Sequence, residues 1–185
     1  YHLLENTFLE KSDPFLNEIK LMAKKRSVWI LLGSIIIKDE KNRLYNRSYL
    51  INSFGKVVCK YDKIHMFDVN ISKGESYQES KIFTKGKKIV TAKLPWGRIG
   101  MSICYDLRFP ALYRKLCSKG TNMISIPAAF TRPTGNSHWH TLIKARAIEN
   151  FSFVFAPAQC GINSSTRKTY GHSMIVSPWG EIIAE

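Results

Sequence analysis

Acidic residues are scarce in this chain: 14 Asp and Glu stand against 28 Lys and Arg in 185 residues, a formal net charge of +14 at pH 7. Such an excess raises the question of a nucleic-acid surface. The basic residues form no long block, however. Lys24–Arg26, Lys85–Lys88, Arg114–Lys115 and Arg167–Lys168 are short and scattered, and aromatics do not interleave with them as a base-stacking platform needs. The charge is read as a dispersed, solvated surface with no nucleic-acid partner. Its positive field attracts small molecules that carry a carboxylate.

Cysteine is also rare. Cys59, Cys104, Cys117 and Cys160 contain no CxxC pair and no metal-ligand spacing, so neither a disulfide framework nor a zinc module is expected. A reducing, cytoplasmic setting follows. Cys59, Cys117 and Cys160 are read as packing residues. Long apolar runs are missing too. Val28 to Ile37 is interrupted by Gly33 and Ser34 and is too short to span a bilayer, so no membrane partner is expected. There is no internal repeat and no low-complexity linker. At this length, with 44% hydrophobic residues to fill a core, one domain over 1–185 is expected.

What is present is a mixture of helical and strand patterns. Asp13-Pro14 opens a helix with Phe15, Ile19 and Met22 on its apolar side and ends it near Lys24–Arg26. Strands are predicted at Ser27–Ile37, Leu44–Asn52 and Lys56–Lys60. A loop then runs past Lys63 and Glu79, and short strands precede Pro95. Pro110–Lys119 reads as a helix capped by Gly120. Asn122–Pro127 reads as a buried strand, Ser137–Asn150 as a helix, and Phe151–Gln159 and His172–Ser177 as strands. His138 and His140 flank Trp139; their spacing does not place them on one helix face, so they are not read as a metal pair. His65 and His172 are read as structural.

The most informative stretch runs from Arg98 to Pro110. Ile99, Met101 and Ile103 alternate as in a half-buried strand, and Pro110 suits the first turn of a helix. Cys104 therefore falls where a strand hands over to a helix. A helix N-terminus nearby favours the thiolate, the form that attacks carbonyl carbon. Lys63 stands after a strand-like run and Glu79 in a polar loop. Each is a weak signal alone.

Taken in order, Lys63-Ile-His-Met-Phe-Asp68, Gln78-Glu-Ser80 and Ile103-Cys-Tyr-Asp-Leu-Arg-Phe-Pro110 resemble the nitrilase superfamily of carbon–nitrogen hydrolases. Ala128-Ala-Phe-Thr131, Thr134-Gly135, His138-Trp139, Lys144–Asn150, Tyr170–Met174 and Pro178-Trp-Gly180 continue the match from about Ser27 onward. The spacing is similar to the branch of omega-amidases and deaminated glutathione amidases. The resemblance implies an α/β fold built as a four-layer α-β-β-α sandwich, commonly a homodimer. It implies hydrolysis of a small carboxylate-bearing linear amide to acid and ammonia through a cysteine thioester, without metal or organic cofactor.

Carried over by motif, Cys104 is the nucleophile, Lys63 holds the oxyanion with the backbone N–H of Tyr105, and Glu79 supports the site. Arg108 is read either as a partner for a substrate carboxylate or as an ion pair with Asp106 or Glu149. Phe130 and Thr131 are expected on a cleft wall, and Arg146 and Glu149 are read as structural. The family's general-base glutamate stands in a Pro-Glu context upstream of the helix at Pro14, and neither Glu5 nor Glu10 matches it. The chain is accordingly expected to be an internal stretch of a longer enzyme, poorly soluble and inactive alone. The alternative is a catalytically inactive remnant. A basic nucleic-acid module and a cysteine protease are weaker readings.

Overall fold

The computed structural model describes residues 5–72, 75–163 and 167–185. The backbone forms two compact units, Tyr1–Lys88 and Ile89–Glu185. Both mix helix and strand, as the sequence pattern predicts.

In the first unit, helix α1 (Pro14–Arg26) begins where the Asp13 side chain accepts the N–H of Leu16 at 2.7 Å. It ends at Ser27, in left-handed conformation after three basic residues. Its buried face carries Leu16 and Ala23, with Ile19 partly buried, while Phe15 and Met22 are exposed. The helical period is as predicted, but the face is turned by one residue. That face packs on Ile37, Tyr49 and Ile51 of an antiparallel meander, β1 (Ile30–Lys38), β2 (Leu44–Ile51) and β3 (Val57–Asp62). The Gly33-Ser34 interruption becomes a register shift between Leu32 and Ile35. Beyond β3 the chain makes a hairpin, β4 (Asp68–Ser72) and β5 (Glu75–Gln78), where a loop is expected from sequence. Asp-Val-Asn-Ile-Ser does alternate, but over only five residues, and Glu-Ser-Tyr-Gln carries a single aromatic, so neither run is long enough to stand out.

The second unit is built on a six-stranded mixed sheet in the order β13-β12-β9-β8-β7-β6. The strands are β6 (Thr91–Leu94), β7 (Gly97–Met101), β8 (Met123–Ser125), β9 (Phe153–Ala156), β12 (Met174–Val176) and β13 (Ile182–Ala184). Only β7, β8 and β9 run parallel, and each step needs a helical crossover. Helix α2 (Pro110–Cys117) supplies the first and α3 (Arg132–Asn150) the second. Trp139, Ile143 and Ala147 form the buried stripe of α3.

Helix α3 starts five residues before the expected Ser137, because Pro133 sits in its first turn and Gly135 lies inside it. Gly135 serves a close approach. A Cβ there would stand 2.3 Å from Cβ of Tyr170. Tyr170 closes a hairpin of β10 (Cys160–Ile162) and β11 (Lys168–Tyr170). Cys160, expected to pack, is exposed there. Among the described residues no helix is long and apolar enough to cross a membrane.

Candidate active site

The first unit holds a buried ion pair. Lys63 is the residue directly after β3, and Glu79 the residue directly after β5. The Lys63 ammonium donates to Oε2 of Glu79, and both side chains are withdrawn from solvent, at 3% and 13% exposure. A buried ammonium is tolerable only with such a partner. The carboxylate is held in turn. Its Oε2 accepts the Phe67 N–H at 2.6 Å, and Oε1 accepts from the Asn46 amide at 3.4 Å. The Lys63 backbone is fixed on both sides, donating to the Asn46 carbonyl and accepting from the Gly86 N–H at 2.7 Å. Gly86 must lack a side chain, since a Cβ would fall 2.0 Å from the Asp62 carbonyl oxygen.

The second unit contributes Cys104. It follows β7 and opens a 3-10 turn, Cys104–Arg108, before Pro110 starts α2. This is the strand-to-helix handover expected from the sequence. Cys104 has φ of 50°, a left-handed conformation rare outside glycine and costing about 1–3 kcal/mol. The surroundings enforce it. The Cys104 N–H donates to the Pro127 carbonyl at 2.9 Å, and the Ile103 N–H donates to the buried Asp106 carboxylate at 2.9 Å. The Leu107 carbonyl accepts from Nε of Arg146, whose guanidinium lies over the Tyr113 ring and pairs with Glu149. Tyr113 is fully buried and shares a hydrogen bond with Ser102, and burial pushes its phenol up. Cys104 itself is half-buried.

Arg108 makes neither of the ion pairs that the sequence offered it, with Asp106 or with Glu149. Its guanidinium meets Nδ1 of His138 at 3.2 Å and lies over the rings of Phe130 and Tyr105. Glu149 is engaged by Arg146. Phe130 is buried against Trp139, with ring centroids 4.9 Å apart. Thr131 is buried at the start of α3, its hydroxyl 2.8 Å from that of Thr134. The structure therefore groups Tyr105, Arg108 and Phe130, and gives Thr131 a helix-starting position.

Sequence reasoning missed Asn46 and gave Asp106 and His138 other parts than those they hold here. Asp106 had a usable signal, an acid two residues after a candidate nucleophile at a tight turn. Glu10, weighed above as a base, lies in an ion network. It accepts from Arg47 at 2.6 Å and Lys60 at 2.7 Å, and Arg47 also grips Asp62.

The profile of the family described as Carbon-nitrogen hydrolase matches residues 2–185. A protein named deaminated glutathione amidase from Dictyostelium discoideum is 42% identical over 180 residues, covering 95% of this chain and 62% of the relative. One of the same name from Yersinia enterocolitica is 44% identical, covering 93% and 61%. The chain thus spans a little over three-fifths of the length of these curated relatives. Among solved structures, the C. elegans NitFhit protein matches with a TM-score of 0.87 at 38% identity, over 92% of this chain and 42% of that one. Saccharomyces cerevisiae Nit3, described as a member of branch 10 of the nitrilase superfamily, gives 0.85 at 32% identity, over 97% and 63%. The fold is the mixed α/β fold of that superfamily.

Proposed function

The chain belongs to the carbon–nitrogen hydrolase family, and on that premise we propose that it hydrolyses a small carboxylate-bearing linear amide to the acid and ammonia. The observation that carries this reading is the strained, over-determined turn at Cys104, since such strain is retained where a side chain must be presented for chemistry. Because one family profile runs through both units, residues 1–185 are taken as a single carbon–nitrogen hydrolase domain.

In the proposed reaction the Cys104 sulfur attacks the amide carbon and the carbonyl electrons move onto oxygen. The Lys63 ammonium and the N–H of Tyr105 stabilise that oxyanion. Collapse breaks the C–N bond, the proton given up by the Cys104 thiol passes to the nitrogen, which leaves as ammonia, and a thioester remains on Cys104. Water then attacks the thioester carbon, releasing the acid and restoring the thiol. Glu79 pairs with Lys63 and positions its side chain. Glu10 supplies no base in this scheme, being occupied by Arg47 and Lys60. Arg108, backed by Phe130 and Tyr105, receives the substrate carboxylate.

Deaminated glutathione, in the names of the relatives, is the first substrate to try, with monoamides of dicarboxylic acids beside it. Ammonia release, with an acyl adduct on the Cys104 peptide in mass spectrometry, supports the proposal. Substrate binding with neither adduct nor ammonia favours the inactive-remnant reading. A homodimer in a reducing cytoplasm completes the proposal. Light scattering on the eluted protein checks the first part, and fractionation of cells the second.

A further inference from the structure

Away from Cys104, the second unit gathers three metal-ligating side chains from three segments. His140 comes from the middle of α3, His172 from the connection between β11 and β12, and Glu185 follows β13. One carboxylate oxygen of Glu185 lies 2.9 Å from Nε2 of His140 and 2.5 Å from Nδ1 of His172. All the ligand atoms fall within 4.8 Å of one another. The sequence argument against a metal at His140 concerns its pairing with His138, two residues away on the same helix. Tertiary structure supplies different partners.

The site is built rather than incidental. His172 holds a left-handed backbone, φ 59°, directly after Gly171 at φ 79°. Its carbonyl accepts the indole N–H of the fully buried Trp139 at 2.8 Å. Its ring stacks on Tyr170, with centroids 4.3 Å apart, and meets the His140 ring edge-on at 5.2 Å. A strained residue held this firmly invites a functional reading. His172 also lines a cleft of about 510 Å³ with Arg132, Pro133, Asn136 and Tyr170, which leaves room for water or an anion.

We propose that His140 Nε2, His172 Nδ1 and Glu185 Oε1 bind a divalent cation of the zinc type, with the fourth position open to that cleft. Two imidazoles and a carboxylate suit zinc and its neighbours rather than calcium or magnesium. Bonds of about 2.1 Å in a tetrahedron set ligand atoms about 3.4 Å apart, so the carboxylate–imidazole spacings of 2.9 and 2.5 Å must open by about 1 Å or less, while the two imidazole nitrogens, within 4.8 Å of each other, settle to the same spacing. The ion would tie α3, the β11–β12 connection and β13 together. It would bind the folded chain alone and raise its melting temperature.

Cobalt chloride titrated into the whole chain at pH 7.5 tests this, where histidine is largely neutral. The expected result is one equivalent bound, with the strong visible absorption of four-coordinate cobalt and displacement by zinc. His140→Ala and His172→Ala should each weaken binding by about tenfold or more, given that even outer-sphere partners carry that much. His138→Ala should leave it unchanged. A second measurement avoids variants altogether: zinc should protect His140 and His172, but not His138, from diethylpyrocarbonate, read peptide by peptide. Cobalt binding indifferent to both substitutions, or zinc that shields neither histidine, overturns the proposal.

Discussion

Lys63 and Glu79, sixteen residues apart, meet side chain to side chain in the first unit with the ammonium almost wholly shielded from water. The pair therefore matters to stability as well as to chemistry. Glu79→Leu leaves a buried charge without its counter-ion and should cost about 3–5 kcal/mol. Lys63→Met combined with Glu79→Leu should recover most of that loss while remaining inactive. Urea unfolding of the three proteins measures it. A double variant no more stable than Glu79→Leu contradicts the account.

Asp106 sets the turn that presents Cys104. Its carboxylate accepts the Ile103 N–H inside the protein, so Asp106→Ala strands a buried donor and should destabilise by about 1–3 kcal/mol. Cys104 alkylation should change rate in the same variant, because its backbone is no longer held at positive φ. Unchanged labelling kinetics would show that the turn keeps its shape without the acid.

The cysteines should separate by pH. Burial pushes the Cys59 thiol up to about 11, so at pH 8 it is almost entirely protonated. Peptide-resolved iodoacetamide labelling should find Cys59 slow at pH 8 and faster as pH approaches 11. The exposed Cys160 should react without that delay. Rapid labelling of Cys59 at pH 8 would mean β3 opens to solvent.

Asp68 should make the hairpin of β4 and β5 acid-sensitive. The Ser80 N–H donating to its carboxylate lowers its pKa below the ordinary 3.8. Stability from this group is present above the unfolded value and is lost as pH falls through the lower folded value. The group is exposed, so the effect is small. Asp68→Asn should flatten the acid limb of the stability curve below pH 4, seen in thermal melts across pH.

Much of the architecture is legible in the residues. Asp13-Pro14 and the basic run at Lys24–Arg26 mark both ends of α1, and the alternation at Ile99, Met101 and Ile103 leads to Cys104 at its turn. These signals are local, a cap, a charge or a period, and survive in one dimension. The hairpins β4–β5 and β10–β11 were not legible, because their strands are only three to five residues long and take their pairing from backbone hydrogen bonds. The close approach at Gly135 was not legible either. A glycine that admits Tyr170 looks the same in sequence as one that ends a helix.

By itself the sequence determined the mixed α/β class, the family, and the residue types able to perform amide chemistry, since ordered motifs carry that information. Tertiary structure alone decided that Glu79 neutralises Lys63, that Arg108 turns to His138, and that His140, His172 and Glu185 converge. Those partnerships join positions 13 to 45 residues apart. Distance along a chain says nothing of distance in space until burial and strand pairing have chosen which side chains must share it.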